Sequence, residues 1–375
     1  LKTAFIYTDA YADYDYGVTH PLKVVRLKLT HELIRSYGLL ELPSVQSIAT
    51  RKADEEDLAI FHTRAYLDVL KEANAGQSTM GLYPYGLGPG DNPIFKGFYD
   101  WSQWVTGATL QACDLVAKGE KEIAFNIAGG LHHAQPSRAS GFCYINDVAI
   151  GISRLLKEGK RVAYIDLDVH HGDGVQAAFY HTDQVLTISL HETGHTLFPG
   201  TGYEYETGEG SGEGYSVNLP FPPFTDDATY LWAFEAIVPP LIQGFKPDVV
   251  VSQLGVDTFC SDPLANLQLT LSGFEQAVRR IKGLAPHWVA LGGGGYDISN
   301  VARAWTLAWA VMNDVEVDDN LPEAYQEMAA KFGIHGKKLR EEPAPSAEGP
   351  SGGGRREMER VVDYLQKKIF PRMLG

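Results

Sequence analysis

Apolar positions along the chain follow two alternating rhythms. Short runs rich in β-branched and aromatic residues recur at 3–7, 123–127, 161–165, 185–189, 248–252 and 287–291, and these read as strands. Between them, apolar residues spaced three and four apart predict helices near 22–37, 54–72, 100–118, 147–158, 226–243, 272–283 and 299–312. Runs such as Asp248-Val-Val-Val-Ser252 are apolar on both faces, as in a strand with helices packed above and below it. The alternation predicts a single α/β domain with a central, mostly parallel sheet and helices on both faces.

No linker-like composition interrupts the first 315 residues, so 1–315 reads as one domain and 316–375 as a C-terminal extension. Within the extension, residues 341–354 are rich in Pro, Gly and Ser, and a charged helix is expected at about 355–369. The stretch 74–95 carries five glycines, three prolines, Tyr83 and Tyr85, and such a segment either rims a site or forms a surface loop.

Composition narrows the function. With 44% apolar residues among 375 the chain can bury a large core. The 47 acidic against 32 basic residues leave a net charge of −15, the wrong sign for broad attraction to phosphates, so nucleic acid is not expected as a partner. Cys113, Cys143 and Cys260 lie far apart, too few for a disulfide framework and lacking the paired spacing of a structural zinc site. No apolar run approaches the roughly 18 residues of a membrane span, and no signal-peptide core precedes Thr3. A cytoplasmic protein without membrane attachment is the expectation.

Chemistry concentrates where predicted strands end. In Arg161-Val-Ala-Tyr-Ile-Asp-Leu-Asp-Val-His-His-Gly-Asp-Gly174 an apolar strand runs into Asp166, Asp168 and His170. Residues two apart on an extended chain face the same way, so the three side chains converge where parallel sheets bind ligands. Crowded carboxylates need a compensating cation or proton, which makes a bound metal the economical account. Asp257 follows another apolar strand and completes a set of two oxygens and one nitrogen. Three protein ligands leave coordination positions open, as in catalytic zinc sites, and iron(II) suits the same donors.

Two further elements supply acids and bases. Ala128-Gly-Gly-Leu-His-His-Ala134 offers His132 and His133, which can share the proton transfers of a hydrolysis. Asp166 and Asp173 suit them as partners that fix a tautomer and raise basicity. Ala290-Leu-Gly-Gly-Gly-Gly-Tyr296 turns sharply after a strand and can bring the Tyr296 hydroxyl to an oxyanion. A phosphate cradle is the other use of four glycines, but neither Gly-x-Gly-x-x-Gly nor a Gly-Lys-Ser/Thr ending is present.

Taken together, His20-Pro-Leu-Lys23 with Arg26, Gly129-Gly-Leu-His-His133, Gly141-Phe-Cys-Tyr-Ile-Asn-Asp147, Asp166–Gly174, Phe198-Pro-Gly-Thr-Gly202 and Gly292-Gly-Gly-Gly-Tyr296 resemble the zinc-dependent histone deacetylase superfamily. Within it, the chain is similar to the bacterial acetoin utilization (AcuC) branch, over about residues 5–312. The resemblance implies the arginase/deacetylase fold, with Asp168, His170 and Asp257 as metal ligands, His132 and His133 as acid and base, and Tyr296 as the carbonyl polariser. It further implies a narrow acyl-lysine tunnel walled by Gly141, Phe142, Phe198 and Leu264, with Asp91 at its rim and Arg26 lining an inner cavity. Two potassium ions are implied, one near Asp166, Asp168, His170, Ser189 and Leu190, the other near Phe179, Thr182, Val185 and Tyr215.

The implied reaction is hydrolysis of N-acetyl-lysine to lysine and acetate, with His133 taking a proton from the attacking water. Either histidine fits as donor to the departing amine. Asp262-Pro-Leu264 and His191-Glu-Thr-Gly194 depart from the eukaryotic class I pattern, which points to a bacterial or archaeal protein-lysine deacetylase rather than a histone enzyme. The resemblance alone suggests acetyl-CoA synthetase as a substrate, within acetoin metabolism. The same residues also accommodate an acetylpolyamine amidohydrolase, a non-catalytic acyl-lysine binder, or a two-manganese ureohydrolase.

Overall fold

The computed structural model describes residues 1–77, 81–340 and 354–374. In chain order its elements are β1 (Thr3–Tyr7), α1 (Val25–Ser36), β2 (Val45–Ala49), α2 (Glu55–Leu58), α3 (Arg64–Asn74), α4 (Phe98–Ala117), β3 (Ile123–Asn126), α5 (Asp147–Lys157), β4 (Val162–Asp166), α6 (Asp173–Phe179), β5 (Val185–Glu192), β6 (Ser216–Phe221), α7 (Asp227–Phe245), β7 (Val249–Gln253), α8 (Leu271–Leu284), β8 (Trp288–Leu291), α9 (Ile298–Met312), α10 (Glu323–Ala330), α11 (Arg355–Lys368) and α12 (Phe370–Met373).

The strands form one sheet in the order β2-β1-β3-β8-β7-β4-β5-β6, and every pairing is parallel. The pleat divides its side chains between two apolar layers. Phe5, Phe125, Ala163, Ile165, Val250 and Ala290 join the core that contains α1, α7, α8 and α9. Their neighbours Ala4, Ile6, Ala124, Val162, Tyr164, Val251 and Val289 face α4, α5 and α6. Burial on both faces is why these strands read as continuous apolar runs.

Helix starts follow local capping chemistry. Asn146 accepts from Ala149 N, Asp226 from Thr229 N, Thr270 from Gly273 N and Asp297 from Ser299 N, each meeting a backbone donor that the first turn leaves free.

Several features differ from the expected periodicity, among them the short helices α6, α10 and α12, which it does not predict. The helix expected at 54–72 is two, because Asp54 caps a single turn and Thr63 caps a new start. Strand β2 is an edge strand with Gln46 and Ser47 exposed, so it lacks an apolar signature. Strand β6 carries Pro220, which an edge strand tolerates because its outer N–H is not needed.

Of the Pro/Gly-rich stretch 341–354 only Gly354 lies within the described residues, and residues 78–80 of the 74–95 segment lie outside them. Helix α11 packs on α7 and β6, and its Met358, Val361, Val362 and Leu365 are buried in the main core. Arg355 stacks over Trp232 at 3.6 Å. Met358→Ala and Leu365→Ala should therefore each cost about 2–4 kcal/mol, the usual loss for a truncated core side chain. Urea unfolding checks this: an unchanged midpoint for either variant would show that α11 adds nothing to the core.

Candidate metal centre and catalytic site

Five adjacent strands, β3, β8, β7, β4 and β5, end on one side of the sheet, and the loops leaving four of them build the site. Strand β4 ends at Asp166, and the chain then steps through Asp168 and His170. Asp168 N donates to Asp166 Oδ1 at 3.1 Å and His170 N to Asp168 Oδ1 at 3.0 Å, which curls the tip inward. Val169 N donates to Asp257 Oδ1 at 2.9 Å, tying this tip to the one that follows β7.

The result is a buried cluster in which His170 Nδ1 faces Asp168 Oδ1 and Asp257 Oδ2, both at 3.1 Å. One ligand atom from each of the three residues lies within 4.8 Å of the others. Tetrahedral ligands about 2.0 Å from zinc stand about 3.3 Å apart, so the spacing suits such an ion. The outer oxygens are already occupied: Asp168 Oδ2 accepts from Gln253 Nε2 at 2.6 Å and Gly294 N at 2.7 Å. That leaves the inner pair turned toward a common point, the division of labour seen in metal sites. A side chain at Gly294 would collide with the Asp257 carboxylate, so the glycine-rich loop is what lets β8 close over the cluster.

His132 and His133 leave β3 beside it. Their loop is held by the buried Asp147 carboxylate, which accepts from Gly130 N, Leu131 N and Thr109 Oγ1 at 3.1, 2.8 and 2.6 Å. His132 Nδ1 donates to Asp166 Oδ2 and His133 Nδ1 to Asp173 Oδ1, both at 2.7 Å. Tyr164 Oη also donates to Asp166 Oδ2, and Gln135 Nε2 to Asp173 Oδ2. With both Nδ1 atoms committed, the two Nε2 atoms meet at 3.0 Å and share one proton.

Electrostatics assigns that proton. Burial pulls His132 down, but Asp166 and Asp168 together outweigh it and hold the imidazole at about 9. Burial and then the His132 charge pull His133 down to about 4, despite Asp173. At neutral pH the pair is thus a cation beside a free base. Burial, Asp257 and Asp168 push the Tyr296 phenol well above its usual range, so it stays a donor.

His132, His133, Asp168, Tyr296, Phe142 and Arg26 line a cavity of about 20 Å³, the room of a single water. Arg26 Nη1 donates to Gly295 O at 2.9 Å, and Phe142 meets Tyr296 edge-on at 5.7 Å. Phe142 sits at φ 69°, a conformation that costs a non-glycine residue energy. Tyr16 Oη donates to its carbonyl at 2.9 Å and His20 packs on its ring at 4.5 Å. Gly141 and Phe198 both lie against His133. His20 Nε2 donates to Asp91 O at 3.1 Å, so Asp91 is anchored through its backbone to the same wall. Leu264 does not line this cavity and is linked to it through Asp262, whose Oδ1 accepts from Leu264 N and Oδ2 from Tyr296 N.

The residues named for potassium fall on β4, β5 and their flanks. Asp166 is in register with Ser189, beside Leu190. Phe179 ends α6, Thr182 and Val185 bracket the turn into β5, and Tyr215 precedes β6, its carbonyl accepting from Thr187 N at 2.9 Å. Several buried partners escaped the sequence reading: Gln253, Asp147, Asp262, His20 and Tyr164. Asp147, His20, Tyr164 and Asp262 all lie within or beside the motifs that carry the site. Gln253 had a signal too, as a polar residue closing an apolar strand.

Residues 20–312 match the family model described as the histone deacetylase domain. The chain is 40% identical over 328 residues to acetoin utilization protein AcuC of Bacillus subtilis (strain 168), spanning 85% of this chain and 84% of that protein. It is 37% identical over 335 residues to histone deacetylase RPD3 of Saccharomyces cerevisiae, spanning 88% and 76%. The crystal structure of a histone deacetylase homolog from Aquifex aeolicus superposes with a TM-score of 0.89 at 36% identity, covering 98% of this chain and all of that one.

The charge balance of the cluster fixes the pH dependence of metal uptake. Burial lowers His170, but its contacts with Asp168 and Asp257 outweigh this and hold it at about 10. In metal-free protein it is protonated at neutral pH, and an incoming divalent ion must displace that proton. Affinity should therefore rise about tenfold per pH unit between about pH 6 and about pH 8, with one proton released per ion. Titration calorimetry in buffers of different ionisation heat measures the release, and pH-independent affinity would remove His170 from the ligand set.

Proposed function

This chain belongs to the histone deacetylase family and is a hydrolytic deacetylase, and from that premise we propose that it hydrolyses N-acetyl-lysine in proteins, with zinc as its metal. The observation that carries this reading is the meeting of Asp168, His170 and Asp257 with the His132–His133 pair at one narrow cavity. The cavity shares Gly141 with an outer groove of about 780 Å³, large enough for polypeptide.

A divalent ion held by the triad supplies a Lewis acid for the acyl oxygen and the attacking water. His133, uncharged and with Nε2 facing the cavity partner His132, is the base that takes the water's proton as its oxygen adds to the acetyl carbon. The imidazolium of the pair returns a proton to the amide nitrogen, the C–N bond breaks, and lysine and acetate result. Asp166 and Asp173 hold a proton on each Nδ1, so that the proton exchanged between the rings and the substrate is carried at Nε2. Tyr296 donates to the acyl oxygen as charge develops on it. The methylenes of the acyl-lysine bury against Phe142 and Phe198, with Gly141 and Leu264 as the remaining wall and Asp91 at the rim. Arg26 lines the inward side, where acetate would leave.

Potassium near Asp166, Asp168, His170, Ser189 and Leu190, and near Phe179, Thr182, Val185 and Tyr215, belongs to the same reading. So does iron(II) as a metal that the two-carboxylate, one-imidazole set accepts. Similarity to AcuC, an acetoin utilization protein, supports a role in bacterial acetoin or acetate metabolism; a cytoplasmic location and acetyl-CoA synthetase as a substrate are further parts of the proposal. No helix among the described residues is long and apolar enough to cross a membrane.

Tyr296→Phe should keep its metal while losing roughly 10²-fold or more in turnover, the usual loss for an oxyanion donor; full activity would exclude the phenol from the reaction. Acetate release from an acetyl-lysine peptide and from acetylputrescine, each with zinc and with anaerobic iron(II), tests the substrate. A strong preference for acetylputrescine would overturn the protein-lysine assignment.

A further inference from the structure

The groove outside the tunnel is larger than an acetyl-lysine side chain needs. It is continuous with the tunnel, because Gly141 lines both and Phe198 packs on His133 while also facing outward. Apolar side chains stand in the open along it: Tyr83 is 86% exposed, and Ile94 and Phe198 are exposed too. Exposed apolar groups gathered around a site mouth mark a binding surface rather than a solvated loop.

Two charged residues line the groove, Asp91 and Arg138. Arg138 stands on a fixed turn. Gln135 N donates to Arg138 O at 2.8 Å, Arg138 N to Gln135 O at 3.3 Å, and Ala139 N to Tyr85 O at 2.9 Å. Its exposed guanidinium has no carboxylate within ion-pair distance among the described residues. Arginines elsewhere are commonly paired, as Arg35, Arg51, Arg64, Arg154, Arg279 and Arg360 are. A chain of net charge −15 thus keeps an uncommitted cation at the mouth of its site. Asp91 can accept from the main-chain N–H that every peptide carries. Arg138 offers only donors, in a planar fork that matches a carboxylate.

We propose that this groove holds the polypeptide flanking the acyl-lysine and that Arg138 selects substrates bearing an aspartate or glutamate within a few residues of it. The inference rests on the protein-lysine deacetylase reading above. A free acylated polyamine is cationic and would gain nothing from Arg138, and a uniformly basic tail would be repelled by it.

The test compares kcat/KM for two acetyl-lysine peptides, one flanked by glutamates and one by lysines, with N-acetyl-lysine methylamide as a substrate without flanks. The native enzyme should favour the acidic peptide by about threefold to fivefold at low ionic strength, the range of an exposed ion pair. The preference should shrink at about 0.5 M salt. Arg138→Glu should reverse the ratio, and Arg138→Gln, which keeps a polar side chain on the turn, should bring it to about one. Equal use of both peptides by the native enzyme, or an acidic preference that survives in both variants, overturns the assignment. Turnover of the methylamide without flank discrimination strikes Arg138 alone, whereas failure on the methylamide and on both peptides strikes the deacetylase reading itself.

Discussion

Three carboxylates, Asp166, Asp168 and Asp257, are buried at the tips of the adjacent strands β4 and β7, and the surrounding architecture serves to make that tolerable. Charges removed from water need partners, and each one has them. Asp166 accepts from Tyr164 and His132, Asp168 from Gln253 and Gly294, and Asp257 from Val169. What the protein's own donors leave over is concentrated on His170 Nδ1 and on the two inner oxygens facing it, the balance that a divalent cation would complete. The adjacency of β4 and β7 in the sheet is therefore a chemical requirement as much as a topological one.

The same arrangement separates the two histidines. They are neighbours in sequence and nearly identical in burial, yet one sits by two anions and the other by one anion and a cation. Environment alone protonates one ring and leaves the other neutral at neutral pH, with no difference in side-chain chemistry.

Much of this was legible in the sequence because the site lies at strand ends, where an apolar run gives way abruptly to Asp and His. The sequence places Asp166, Asp168 and His170 at one strand end, but their facing is set by the turn in which Asp168 N and His170 N donate to the preceding carboxylates rather than by an extended chain; the glycines before Tyr296 announce a tight approach. The supporting residues were less legible for a physical reason. Gln253 and Asp262 act through single hydrogen bonds to partners far away in the chain, which no local periodicity encodes. The half-exposed strand β2 hid for the opposite reason, since its polar positions mimic a loop. Helix α6 is one short run, too brief to establish a 3.6-residue rhythm.

The two outer strands of the sheet close it by different means. Strand β6 bears Pro220 and is packed by α11, while β2 is only five residues long and turns Gln46 and Ser47 to solvent. Each device deprives a neighbouring molecule of a flat, apolar ladder to extend. The two rims of the sheet that gathers the reactive loops are therefore poor templates for edge-to-edge pairing.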